Sequence, residues 1–198
     1  MDHDGQDMTF EGSAILPGAL RLASAALTPC ASLLESATAY VRTLVTSDGH
    51  ISSQLIEQHQ TATHGLAWLA TYVEALQQMQ RWATALQTEE KFGEVEQLLL
   101  QIAFGEYLGQ ILGGIPISQS EILRLQDIVP SQRDIDRMQT PEIIALTRSG
   151  NSQAARTRLV ALMQEQSANI TTGACGLDDE LEMIREQFYR YAAERVEP

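Results

Sequence analysis

Lysine is almost missing from this chain. Among 198 residues there are 13 basic side chains, and only Lys91 is a lysine; 26 acids oppose them, for a formal net charge of −13. Such a deficit excludes a nucleic-acid binder, whose affinity comes from clustered Lys and Arg. It also sets the chain against an anionic membrane surface. Cysteine is scarce. Cys30 and Cys175 lie far apart with no C-x-x-C spacing, so they announce neither a disulfide framework nor a zinc site. A reduced, cytoplasmic setting is the expectation. Long hydrophobic runs are missing too. The longest, residues 98–115, contains Gln101, Glu106 and Gln110, and a glutamate at bilayer depth is costly, so no membrane partner is expected. The N-terminus, MDHDGQDMTF, is acidic, where a secretory leader needs a basic start before an apolar run. What is present is ordinary for a folded protein: 44% hydrophobic and 20% charged residues, enough for one or two domains with a core of their own.

Breakers and apolar spacing predict an all-α chain. Residues 1–28 carry four acids, three glycines and Pro17 and read as a weakly structured segment. Pro29 is placed to start a helix, with Leu33, Leu34, Ala37, Tyr40, Val41 and Leu44 following at helical steps. Asp48-Gly49 ends it, and Ser52 or Ser53 is set to cap the next helix. That helix runs to Leu86 with only Glu57, Glu74 and Arg81 charged, a pattern that belongs inside a bundle. A third begins at Phe92 and Val95, reaches Leu112 and stops at Gly113-Gly114 and Pro116. Ser118, with Glu121 three residues on, has capping-box spacing for a short helix over 118–125. Pro141–Thr147 and Ser152–Gln166 read as short helices, and 173–176 as a break. Residues 177–195 form a last amphipathic helix with Leu181, Ile184, Phe188 and Tyr191 on one face and acids in its first turn. The expected architecture is a helical bundle with two long central antiparallel helices and a C-terminal amphipathic helix. Its divisions are 1–28, a helical domain over 29–128, a helical connector over 129–176, and 177–198.

Few residues offer chemistry. His59 and His64 are five apart, which turns them away from one another on a helix; a helical metal pair needs three or four, and no Glu-x-x-His occurs. No metal site is expected. Glu74 and Glu106 are lone charges in apolar stretches. They read either as perturbed acids in a pocket or as structural residues that find a partner or the surface. Arg81, Arg124 and a tyrosine hydroxyl are the partners in view. Gly105, Gly109 and Gly113 recur every four residues along one side of the third helix. Glycine there costs about 1 kcal/mol each relative to alanine, which close helix packing would offset. The other reading is a groove for a flat or acyl ligand, with Trp68, Tyr72 and Glu106 beside it. No nucleophile elbow, P-loop or dinucleotide fingerprint is present.

Two blocks, QHQTATHGLAWLATYVEAL over 58–76 and FGEVEQLLLQIAFGEYLGQILGGIPISQSEIL over 92–123, resemble the N-terminal extension of methylsuccinyl-CoA dehydrogenase-like acyl-CoA dehydrogenases. The segment 177–198, LDDELEMIREQFYRYAAERVEP, resembles the first helix of the dehydrogenase body. The resemblance implies a parent enzyme with FAD. In it a glutamate base takes the α-proton of an acyl-CoA, and the flavin takes the β-hydride. It assigns none of that machinery to this chain: no catalytic, flavin-binding or metal-binding residue carries over, and Glu74 and Glu106 do not match the base. The length reads as that of an extension cut off just after the body's first helix. The expectation is an accessory helical region, non-catalytic by itself. Its last face would meet the remainder of the dehydrogenase or a second copy in a homo-oligomer. The alternative is a stand-alone binding or oligomerisation module.

Overall fold

Three long helices form the core of the fold, and each follows from a stretch with few breakers. The computed structural model describes residues 13–165 and 177–195. Helix α1 spans Ala19–Val45, α3 spans Gln60–Thr88 and α4 spans Glu94–Gly113. All three pack against one another, so the core is a three-helix arrangement rather than a pair.

Helix α1 begins ten residues before Pro29, which lies inside it. The signal is an alanine stripe: Ala19, Ala23, Ala26, Cys30, Leu33, Ala37 and Val41 are buried at three- and four-residue steps straight through the proline. Proline removes the hydrogen bond to Ala25, four residues back. Ala25 lies on the exposed side, where water can meet the released carbonyl. Gly18 starts the helix from a left-handed conformation, φ +68°, which glycine adopts without strain.

The second predicted helix is divided. Ser52 accepts from the Leu55 amide and starts a short α2, Ser53–Gln58. His59 breaks the path, and α3 follows. A two-residue hairpin, β1 (Thr46–Ser47) with β2 (His50–Ile51), joins α1 to α2. Its turn uses Asp48 and Gly49 at positive φ. Leu69, Leu76 and Leu86 on α3 are fully buried, as are Leu98, Leu100, Phe104 and Leu108 on α4. Burying each such side chain stabilises by roughly 1.5–3 kcal/mol. At the start of α4, buried Glu96 accepts from the Gly93 amide at 3.0 Å, half of a capping box.

The short helix predicted over 118–125 is not there. Residues Ile115–Pro116 (β3) pair antiparallel with Ile122–Leu123 (β4), and Glu121 closes the turn through its backbone carbonyl rather than capping Ser118. Gly114 at φ +125° turns the chain out of α4, and the β-branched isoleucines favour the extended pairing. Leu123 is buried against Gly65 of α3, which has no room for a Cβ there. Beyond the hairpin come α5 (Leu125–Ile128), α6 (Gln132–Asp136) and α7 (Pro141–Ala145), capped by Thr140. A π-turn over Leu146–Gly150 leads to α8, Gln153–Glu165.

The last helix, α9, spans Asp179–Arg195, with Asp178 accepting from the Leu181 amide at 2.8 Å. Leu181, Ile184, Phe188 and Tyr191 are all exposed, Phe188 at 71%. The break at 173–176 and Cys175 lie outside the described residues. Among the described residues no helix is long and apolar enough to cross a membrane.

Candidate functional site

The residues singled out on α3 and α4 meet where the two helices face each other. Trp68 packs edge-on to Tyr72, and Tyr72 stacks on Tyr107 with ring centroids 4.6 Å apart. The Tyr72 hydroxyl donates to Gln110 Oε1. Gln110 Nε2 donates to Glu106 Oε1 at 2.6 Å, and Asn151 Nδ2 donates to Glu106 Oε2. Arg156 completes the chain: its Nε donates to Asn151 Oδ1 at 2.6 Å, and its Nη2 stands 3.5 Å from Glu106. Burial, then the neighbouring Tyr107 and Glu106, hold the Tyr72 hydroxyl above the ordinary tyrosine range, so it remains a donor.

Glu106 therefore has neither Arg81 nor Arg124 as a partner. It sits half-buried with both oxygens engaged by amides and a guanidinium, and nothing in that arrangement points a carboxylate into a pocket. Glu74 is exposed and accepts from Gln78 one turn on. Arg124 instead donates to the Gly113 carbonyl at 3.1 Å.

The three glycines differ in what they meet. A Cβ on Gly105 would stand 2.8 Å from the Asn151 nitrogen and 2.8 Å from the Leu146 oxygen. Here the backbone of the π-turn lies against the backbone of α4, the close approach for which glycine is suited. Gly109 and Gly113 meet nothing within 4 Å. Both are exposed, so the close approach is confined to the first of the three.

Residues that sequence reasoning missed hold this corner together. Gln101 is fully buried. Its Oε1 accepts from the Leu16 amide at 2.8 Å; its Nε2 donates to the carbonyls of Ala14 at 2.8 Å and Gly150 at 3.1 Å. One amide side chain thus ties α4 to residues 14–16 and to the π-turn. The available signal was an uncharged polar residue inside the apolar run around 98–104, which burial would force to find partners. Arg158 of α8 makes a two-pronged contact with Glu94 at the start of α4, 2.7 Å at both prongs. That guanidinium holds the Glu94 carboxyl below its usual range, its hydrogen bonds first and its charge besides.

His59 and His64 do not converge on a metal. His59 is at the break before α3. His64 Nε2 accepts from Trp68 Nε1 at 3.0 Å, which leaves the proton on Nδ1, 3.7 Å from Glu121 Oε1. No group of three ligating side chains suited to a metal occurs among the described residues. The groove that His64 and Glu121 line with Gln60, Thr61 and Thr63 is open. A flavin pyrophosphate needs cationic or backbone N–H donors, and this groove offers a carboxylate. The residues of this groove do not fit a flavin pyrophosphate.

No family model matches the chain. It is 52% identical over 188 residues, 94% of its own length, to (2S)-methylsuccinyl-CoA dehydrogenase of Cereibacter sphaeroides. The chain spans 33% of that relative's length. The resemblance read in residues 58–76 and 92–123 extends across nearly the whole sequence, and this chain is similar throughout to one third of a methylsuccinyl-CoA dehydrogenase.

Proposed function

We propose that this chain serves as the N-terminal accessory helical region of an FAD-dependent acyl-CoA dehydrogenase of the methylsuccinyl-CoA type. In this reading it carries neither the base nor the flavin, acts in the cytoplasm, and docks through the α9 face of Leu181, Ile184, Phe188 and Tyr191. That face meets the remainder of the dehydrogenase or a second copy in a homo-oligomer. The observation that carries the reading is the 52% identity across 94% of the chain to a part of one such enzyme. Two structural features support it. The polar side chains of Tyr72, Gln110, Glu106, Asn151 and Arg156 are engaged with one another. Among the described residues nothing covers the apolar face of α9, whose Leu181, Ile184, Phe188 and Tyr191 are exposed, and contiguous exposed apolar surface marks an interaction site.

The test is spectral and hydrodynamic. The purified chain is expected to be colourless, with no flavin absorption, and to self-associate through α9. Replacing Phe188 and Tyr191 by serine should shift its sedimentation towards a monomer. Stoichiometric bound flavin in the chain alone would overturn the non-catalytic reading. A monomer unaffected by the two substitutions would remove the self-docking role of α9.

A further inference from the structure

Glu35 and Arg42 stand on the solvent side of α1, two turns apart, with no ion-pair partner for either among the described residues. Seven residues along a helix separate them by about 10.5 Å, too far for them to pair with each other. Midway between them are Thr38 and Ala39. These four residues, with Leu34 and with Gln77 of α3, line an open groove of about 550 Å³.

The charge order along this face is self-complementary. A two-fold axis passing between Thr38 and Ala39 lays a second α1 antiparallel to the first. It then sets each Glu35 opposite the other copy's Arg42, while the small side chains meet at the crossing. Isologous contacts have this reciprocity, with residue i touching j and j touching i. Because α1 ends at Val45, the overlap covers residues 32–45 of each copy. We infer that this face of α1 is a docking surface for a second copy of the chain, registered by the reciprocal Glu35–Arg42 pairs.

The net charge of −13 argues for this place. Two such chains repel each other over most of their surfaces, and a site where a cation meets an acid offsets that repulsion locally. Arg42 and Glu35 supply one in duplicate. Charges at the rim of such a contact set register and partner choice more than affinity. The groove is small, so the contact is a weak, concentration-dependent dimer. It is separate from the α9 face, and it stands whether or not the proposed accessory role does.

The experiment is sedimentation over a concentration series at low ionic strength, in the full chain with Phe188 and Tyr191 changed to serine so that α9 contributes nothing. Circular dichroism checks that each variant is folded. The unswapped chain should show a monomer–dimer equilibrium. E35R puts arginine opposite Arg42 twice, and R42E puts glutamate opposite Glu35 twice; each should weaken association by about tenfold or more. The double variant E35R/R42E should restore it. A folded monomer at every concentration would overturn the inference. So would a dimer indifferent to both single swaps, or a folded double variant that stays as weak as the singles. Association found only when Phe188 and Tyr191 are present would assign self-contact to α9 and reject the α1 surface, leaving the proposed function untouched.

Discussion

Gly150 lies directly on the backbone of Gln101: a Cβ added to it would stand 2.5 Å from the Gln101 carbonyl oxygen. The Gln101 side chain in turn donates to the Gly150 carbonyl. The π-turn is therefore held to α4 both by contact and by hydrogen bonding.

Gly150→Ala should destabilise the chain by about 1–3 kcal/mol, since the added methyl meets backbone that has no rotamer to escape into. Gly109→Ala makes the contrast. Nothing lies within 4 Å of its Cβ position, so the substitution should stabilise α4 by up to about 1 kcal/mol through helix propensity. Urea unfolding of both variants reads the opposite signs. Equal destabilisation of the two would contradict the difference drawn between these glycines.

Removing the Gln101 amide leaves the Leu16 N–H and two carbonyls without partners. A buried group left unsatisfied costs about 1–3 kcal/mol, so Gln101→Leu should be destabilising although it is apolar and similar in size. Hydrogen exchange gives the specific signature: the Leu16 amide should lose protection while amides in the middle of α3 keep theirs.

The Glu94–Arg158 pair predicts a pH dependence with a definite sign. Because Arg158 holds the folded-state carboxyl below its usual range, the pair contributes stability above the unfolded-state value. That contribution disappears as the pH falls through the folded-state value. The stability difference between the native chain and Glu94→Gln should be greatest near neutrality and shrink on acidification. A difference that stays constant down into the acid range would show that the carboxylate charge is not what joins α8 to α4.

Cys30 is fully buried, and burial pushes its thiol up to about 12. Thiolate is the reactive form, so a disulfide reagent at neutral pH should label Cys30 only as the protein unfolds. A Cys175→Ser chain isolates the signal. Rapid labelling of the folded chain would place Cys30 at an accessible surface.

The all-α class, the cap at Ser52 and the long amphipathic α9 were legible because each rests on local spacing. The start of α1 was hidden because its buried stripe is alanine, which a search for large apolar residues passes over, and because Pro29 looked like a beginning. The 115–123 hairpin was missed since Ser118 and Glu121 have capping-box spacing, yet the pairing of Ile115 with Leu123 and the packing of Leu123 on Gly65 outweigh that local preference. At the candidate site the sequence singled out Glu106 and Gly105. It could not give their partners, because Asn151 and Arg156 come from 45 and 50 residues away. Gln101 shows the same gap, since a polar residue in an apolar run declares a need for partners without naming them.

The Gln101 knot also orders events at the ribosome. Its three backbone partners come from residues 14, 16 and 150, so the segment that emerges first and the turn that emerges last among them are fastened by one amide between. The three long helices are all synthesised by residue 113, yet the contact with Gly150 stays open until residue 150 has left the exit tunnel. Residues 14 and 16 can be fastened as soon as Gln101 emerges, and the π-turn completes the knot later.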